Sequence, residues 1–168
     1  SPVIKLFSFL IDKNQVNVEI DFEGKRYLVE VPQRISTEQL PTLKASENAI
    51  YQGDEIEVPL IEIAHARSGD KGNHSNIGVI ARKADYLPWI RAALTEEAVA
   101  SYMQHVLDAE KGRVIRYELP GLNALNFMLE NALGGGGVAS LRIDPQGKAF
   151  AQQLLDMPVK VPAHLLEK

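Results

Sequence analysis

A polar stretch punctuated by glycines, residues 67–78, constrains the fold of this chain more than any other feature. It reads RSGDKGNHSNIG and joins two apolar runs, residues 58–66 and 77–81, each of which is typical of a buried strand. Glycine permits positive φ and close backbone approach, and Asp and Asn side chains accept hydrogen bonds from nearby amides. The pattern therefore predicts a long hairpin loop between two strands.

Two interpretations of this loop stay open. In the first, several backbone N–H groups gather beside Arg67 and Lys71 in a concavity suited to an anion. In the second, the polar side chains satisfy the backbone of the loop itself and bind nothing else. The candidate ligand-binding residues under the first interpretation are Arg67, Ser68, Gly69, Asp70, Lys71, Gly72, Asn73 and Asn76, together with Gly135 and Gly136.

Asp70 and Lys71 are the candidate catalytic residues. A carboxylate held among backbone amides can serve as a general base, while Lys71 or Arg67 holds a substrate anion. The same residues equally explain an ordered loop without any substrate. The sequence names the candidates and leaves the reaction open.

The histidines near the loop do not predict a metal site. His65 and His74 are nine residues apart along strand-like sequence, so their side chains point to opposite faces and do not converge with Asp70. Ser68 lacks the sequence context of a nucleophile elbow. No dinucleotide or phosphate-loop fingerprint occurs, and we expect neither a metal nor a cofactor.

Four consecutive glycines, residues 134–137, form the second unusual stretch. They follow a run that predicts a helix, so the simplest interpretation is a helix C-cap with a flexible connector. The alternative is that bare backbone here lets a ligand approach closely. If residues 67–78 lie near this run, the two stretches form the rim of one pocket, and the sequence does not decide whether they meet.

Composition limits the classes of partner. The net charge is −4, and the lysines and arginines are scattered, which argues against nucleic acid and against a membrane surface. The chain has no cysteine, no apolar run of transmembrane length and no signal-peptide pattern. We therefore expect a cytoplasmic protein.

The order of predicted elements indicates an α+β fold. Residues 16–22 and 27–31 alternate apolar and polar side chains around Glu23 and Gly24, which predicts a hairpin. Residues 32–53 predict a connector. The other predicted helices are residues 85–94, residues 122–133, residues 148–157 and a helix that begins after its cap, Thr95. The other predicted strands are residues 113–119 and 138–143.

These elements predict three parts of the chain: residues 1–54 with the hairpin and connector, an α+β domain over residues 55–158, and a loosely attached tail over residues 159–168. A ferredoxin-like mixed sheet covered by helices is the simplest closure of the middle part. The chain also begins without methionine and enters a strand-like run at once, so we expect a fragment or a processed protein.

Several stretches resemble one known family. Residues 64–73 (AHARSGDKGN), 76–82 (NIGVIAR), 133–137 (LGGGG) and 140–148 (SLRIDPQGK) are similar to the C-terminal domain of the acyclic terpene utilisation A (AtuA) family. The opening residues 1–9 (SPVIKLFSF) resemble the segment that joins the large N-terminal domain of that family to it. The likeness is strong over residues 58–157 and loose before them. Members of the family often carry Asp at the position of Asn73.

The resemblance implies a ferredoxin-like domain at the end of a larger protein whose N-terminal domain is missing here. It also implies a place in the catabolism of branched terpenoid acids as acyl-CoA thioesters, alongside an acyl-CoA carboxylase. It supplies no catalytic residues.

Two functional hypotheses follow. The domain is an assembly or interdomain module, with the missing domain and further copies of the chain as partners, or it provides the ligand-binding part of an enzyme site for an acyl-CoA or a similar anion.

Overall fold

The computed structural model describes residues 9–30 and 53–166. The chain divides into two compact units, and each is described by itself: residues 9–30 belong to the smaller unit and residues 53–166 to the larger. The predicted connector over residues 32–53 lies almost wholly outside the described residues. The predicted domain boundaries at residues 54 and 158 stay predictions.

The smaller unit contains the predicted hairpin. Strand β1 (Val18–Phe22) pairs antiparallel with β2 (Lys25–Val29). Glu23 and Gly24 join the strands with φ of 52° and 74°, as the two positive-φ positions of a type I′ turn require. The hairpin prediction is confirmed.

The described part of the larger unit contains six strands, three α-helices and several short 3₁₀ turns. The strands and α-helices in chain order are β3 (Glu55–Pro59), β4 (Ala64–Lys71), β5 (His74–Ala81), α1 (Leu87–Ala93), α2 (Glu96–Tyr102), β6 (Arg113–Leu119), β7 (Ala124–Glu130), α3 (Phe150–Leu155) and β8 (Pro158–Pro162).

Four of these strands form one sheet in the order β4-β5-β7-β6, and every neighbouring pair is antiparallel. Because β5 and β6 both run antiparallel to β7, they are parallel to each other, and helices α1 and α2 make the crossover between them. Strands β3 and β8 pair as a separate two-stranded sheet. The α+β class predicted from the sequence is confirmed.

The helices cover one face of the four-stranded sheet. Ile77, Leu125, Phe127 and Leu129 point from this face into the core, and α3 packs against β4. Successive strand residues point to opposite faces, so Arg67 and Asn76 lie on the other side. Within the described part of the larger unit, the side chains on that second face are half-buried or exposed apart from Ala124, and we call it the open face.

Local signals place the helices correctly. The Thr95 hydroxyl accepts a hydrogen bond from the amide of Ala98 and caps α2. Pro88 lies in the first turn of α1, where its missing N–H costs nothing. None of the helices in residues 9–30 and 53–166 has the length and apolar character needed to cross a bilayer.

The predicted loop over residues 67–78 is wrong. Strands β4 and β5 run through almost all of it, and only Gly72 and Asn73 form the turn, with Gly72 at a φ of 66°. The polar residues can occupy strands because the two buried hydroxyls, Ser68 and Ser75, have hydrogen-bond partners within the fold.

The predicted helix over residues 122–133 is also wrong, because this segment forms β7. Its leucines fit helical spacing, yet Leu125, Phe127 and Leu129 also alternate, and they are the fully buried side chains. Gly121 and Asn123 both have positive φ and turn the chain between β6 and β7. The alternation and the turn residues decide against a helix.

Two further assignments need correction. Residues 138–143 were predicted as a strand. In the structure, the 3₁₀ turn Gly137–Ala139 is followed by a loop, and no strand of the described residues pairs with this segment. The segment after Pro158, expected to be loosely attached, forms β8 against β3 and buries Val159 and Val161. Alternation of Val159, Lys160 and Val161 was the signal for that strand.

The packing of β8 gives a direct test of this correction. Val161→Ala should lower the free energy of unfolding by roughly 2 kcal/mol because the Val161 side chain is fully buried. Lys160→Ala, on the exposed side of the same strand, should change it by less than about 0.5 kcal/mol. Chemical denaturation measures both, and equal small effects would mean that the segment is not part of the core.

Candidate functional site

A polar cavity of about 420 Å³ lies at the β4 edge of the sheet. It is lined by residues of β4, β5 and the loop before α3, namely Arg67, Ser68, Gly69, Asp70, Lys71, Asn76, Gly78 and Lys148. The strand register explains this grouping, because Gly69 pairs with Asn76 and Arg67 pairs with Gly78 across β4 and β5.

The lining is positively charged in a chain whose net charge is −4. Arg67, Lys71 and Lys148 supply three cations, and Asp70 supplies the one carboxylate. The Lys148 Nζ lies 3.6 Å from Asp70 Oδ1, and the Lys71 Nζ donates a hydrogen bond to the Asp70 carbonyl oxygen at 3.0 Å. The cavity thus has an excess of positive charge.

The Arg67 side chain is exposed on the open face, and its guanidinium forms no hydrogen bond or ion pair among residues 9–30 and 53–166. A guanidinium carries five donors in a planar fork that matches carboxylate and phosphate groups. An anion that enters the cavity therefore meets Arg67 donors that no acceptor of the described residues occupies.

The buried Ser68 hydroxyl holds the backbone of Lys148 beside β4. The Ser68 Oγ donates to the Lys148 carbonyl oxygen at 3.1 Å and accepts from the Ala151 amide at 3.0 Å. The Asp144 carboxylate accepts from the amides of Lys148 and Ala149 and caps the same segment from the other side. These bonds fix the backbone of Lys148 although it lies eighty residues from Ser68.

The structure does not support a nucleophile triad of Ser68, a histidine and Asp70, because the Ser68 hydroxyl is bonded to backbone groups. The His65 ring contacts Arg82, and the His74 Nδ1 accepts a hydrogen bond from the Asn131 amide. His65 lies on the open face and Ser68 on the covered face, because they are three residues apart in β4. The structure brings neither imidazole to the Ser68 hydroxyl.

The glycine run and the β4–β5 turn do meet. The Asn73 carbonyl accepts from the amides of Ala132 and Leu133, the Asn73 Oδ1 accepts from the Gly135 amide at 2.6 Å, and the Asn73 Nδ2 donates to Asn131 Oδ1. We call this set of contacts the Asn73 junction. A Cβ added at Gly136 would lie 2.0 Å from the Gly72 carbonyl oxygen.

All four glycines of the run have positive φ, between 46° and 103°. The run is not the C-cap of a helix, because the segment before it is β7, and it needs glycine for its backbone conformation. The backbone of Gly135 and Gly136, which we considered as a ligand contact, lies instead against Gly72 and Asn73 of the β4–β5 turn.

The ten predicted ligand-binding residues separate into two groups. Six of them line the cavity: Arg67, Ser68, Gly69, Asp70, Lys71 and Asn76. Gly72, Asn73, Gly135 and Gly136 do not line it and form or adjoin the Asn73 junction. That the first group binds a ligand, and that Asp70 and Lys71 take part in chemistry, stay predictions.

Sequence reasoning missed Lys148 and Gly78 as cavity residues. Lys148 closes the stretch SLRIDPQGK that carries part of the family resemblance, and this was the available signal. Its place beside β4 depends on the Ser68 contacts, which link segments too far apart in the chain for periodicity to reveal.

Two carboxylates near the Asn73 junction have lowered pKa values. A hydrogen bond and ion pair from Arg113 lower the pKa of Glu130. Hydrogen bonds from the Lys111 and Glu110 amides lower the pKa of Asp108, whose own amide donates to the Asn131 carbonyl. Both carboxylates stabilise the folded state while ionised, and this contribution is lost as the pH falls through their lowered pKa values.

The described ranges, residues 9–30 and 53–166, contain no group of three or more His, Asp or Glu side chains placed to bind a metal ion.

The Asn73 junction predicts a difference between two neighbouring glycines. Gly137→Ala should cost about 1–2 kcal/mol of stability, because φ is 46° and a Cβ there meets nothing within 4 Å. Gly136→Ala should cost at least about 4 kcal/mol or prevent folding, because the φ of 69° and ψ of 165° at Gly136 lie in a region that essentially only glycine adopts, and because the added Cβ would clash with Gly72. Equal losses in thermal or chemical unfolding would contradict the junction.

Comparison with known proteins agrees with this architecture. The family model described as the AtuA ferredoxin-like domain matches residues 58–160, more than half of the chain. Searches of curated proteins and of solved structures gave no match. The matched range spans β4 to α3 and includes every residue of the cavity. The fold is ferredoxin-like, as predicted, and the chain belongs to the AtuA ferredoxin-like domain family.

Proposed function

We propose that this domain binds an anionic metabolite in the cytosolic catabolism of branched acyl chains, either an acyl-CoA thioester or a related acid, in the polar cavity beside β4. The observation that carries the proposal is the grouping of Arg67, Lys71 and Lys148 around one carboxylate. The catabolic setting is the one that the family resemblance implies.

The chemistry of the three cations fits a carboxylate or phosphate. Arg67 can donate two parallel hydrogen bonds to such a group, and it gives up no internal bond to do so. Lys71 and Lys148 act as flexible point charges at the side of the cavity. At 3.6 Å the Lys148–Asp70 contact exceeds hydrogen-bond length, so the ammonium can turn towards a ligand at small cost.

Asp70 has a positioning role in this proposal. Its side chain lies on the covered side of β4 and is about one third exposed, while its carboxylate faces Lys148. It keeps Lys148 at the cavity in the absence of ligand and limits the positive charge there. Lys71 contacts the ligand directly.

Substitution of the cavity cations tests the proposal. Arg67→Gln and Lys148→Gln should each weaken the binding of coenzyme A by about tenfold, because each removes one charge-assisted contact. Lys160→Gln is the matched control, because it removes an exposed cation of β8 that does not line the cavity, and this variant should bind like the unmodified chain. Isothermal titration calorimetry at low and moderate salt measures the affinities.

The salt dependence is part of the same test. Binding by the unmodified chain should weaken as salt rises and should do so more steeply than binding by either Gln variant. If the unmodified chain binds neither coenzyme A nor the acids, or if all variants bind with equal affinity, the anion site at this cavity is contradicted.

A second candidate function, assembly of several copies, is favoured by a different observation. In the loop between β7 and α3, the Leu141 and Ile143 side chains are 102% and 105% exposed. Between them, the Arg142 Nη1 donates to the carbonyl oxygens of Val106 and Ala132, which anchors the loop to the core. Two aliphatic side chains held in solvent by an anchored backbone suit a contact with another copy.

Replacement of these aliphatic side chains tests the assembly function. If the loop joins copies, the unmodified chain should be an oligomer, and the double variant Leu141→Ser, Ile143→Ser should lower its mass in solution, as measured by light scattering. Gln146→Ser, an exposed substitution in the same loop, should leave the mass unchanged. A monomeric unmodified chain, or an oligomer that both variants retain, would contradict this function for the loop.

A further inference from the structure

An apolar groove of about 340 Å³ adjoins the polar cavity on the open face. Ile80 of β5, Leu119 of β6 and Leu122 of the β6–β7 turn form its aliphatic walls, and Ala124 of β7 keeps it open with its small side chain. Ile80 and Leu122 are exposed, so their apolar surface is available to a ligand.

The groove and the cavity are continuous. Arg67 and Gly78 line both, and they are directly paired across β4 and β5. Gly78 has no side chain, and the atoms nearest to the place of a Cβ are 3.9 and 4.0 Å away, so nothing fills the space between the two concavities. A ligand can therefore place a charged group on one side of Gly78 and apolar atoms on the other.

Size and continuity restrict the class of ligand. Each concavity lies near the lower end of the range of about 300–1,000 Å³ for small-molecule pockets. In a CoA thioester the pantetheine arm separates the acyl chain from the phosphates. A ligand that has its charge beside Arg67 and its chain immediately beyond Gly78 needs no such spacer.

We propose that the cavity and groove together bind a free carboxylate that is joined directly to an apolar chain, with the carboxylate at Arg67 and Lys148 and the chain between Ile80, Leu119 and Leu122. This inference rests on the proposed anion site and narrows its ligand from acyl-CoA thioesters and related acids to the acids themselves. Gly78 is the position at which the chain passes from the cavity to the groove.

A series of carboxylates tests the proposal. Titration calorimetry of the unmodified chain with butanoate, hexanoate, octanoate and 3,7-dimethyloctanoate should show affinity that rises by up to about threefold per added methylene. Octylammonium, which has the same chain and the opposite charge, should not bind. Arg67→Gln should weaken every acid in the series.

Gly78→Val isolates the groove from the cavity. Valine suits a strand, and its Cβ would meet only ordinary contacts, so the variant should fold. The ratio of its affinity for octanoate to its affinity for butanoate should fall to about one, because the valine side chain fills the passage from the cavity to the groove. Leu122→Ser should reduce the gain with chain length without affecting butanoate.

The outcomes separate the two claims. If coenzyme A and butanoate bind in an Arg67-dependent manner but affinity does not rise with chain length, the groove is not a chain site and the anion site remains. If neither the acids nor coenzyme A binds, both claims fail. If Gly78→Val keeps the full chain-length gain, or if octanoyl-CoA gains as much over coenzyme A as octanoate gains over butanoate, the assignment of free acids is overturned.

Discussion

The contacts of the Ser68 hydroxyl are the constraint on which the rest of the site depends. One buried oxygen donates to the Lys148 carbonyl and accepts from the first turn of α3, and so joins the edge strand of the sheet to a segment eighty residues later. Without this bridge, Lys148 has no fixed place beside Asp70 and Arg67. A buried hydroxyl that loses its partners is costly, which makes the bridge a part of the fold as well as of the site.

Alternation along β4 gives the two faces of one motif different surroundings. Ser68 and Asp70 face the covered side, where they hold α3 and Lys148, while Arg67, Gly69 and Lys71 face the open side. The Asn73 junction closes the end of this hairpin with contacts that are internal to the chain. The motif is thus structural on the covered face and presents exposed cations on the other face, and anion binding by those cations stays a prediction.

Short-range signals predicted the local structure well. The β1–β2 hairpin follows from strict alternation around Glu23-Gly24, and the start of α2 follows from Thr95 as its cap, because each depends on residues within one turn of the chain. The loop over residues 67–78 was misassigned since polar residues rarely form buried strands, and only distant partners such as Lys148 make Ser68 an exception. The segment of β7 was misassigned because its leucines fit two periods at once. The sequence could not predict the groove, since its lining comes from all four strands of the sheet and from the β6–β7 turn.

The most direct measurement is to follow the backbone amide resonances of the ¹⁵N-labelled chain by NMR while inorganic phosphate is added. We expect saturable shifts confined to the residues that line the cavity, among them Arg67, Lys71 and Lys148, with the amides of Gly135 and Gly136 unaffected. Shifts centred on the glycine run, or no saturable shift at the cavity residues, would contradict the claim that the polar cavity beside β4 is an anion site.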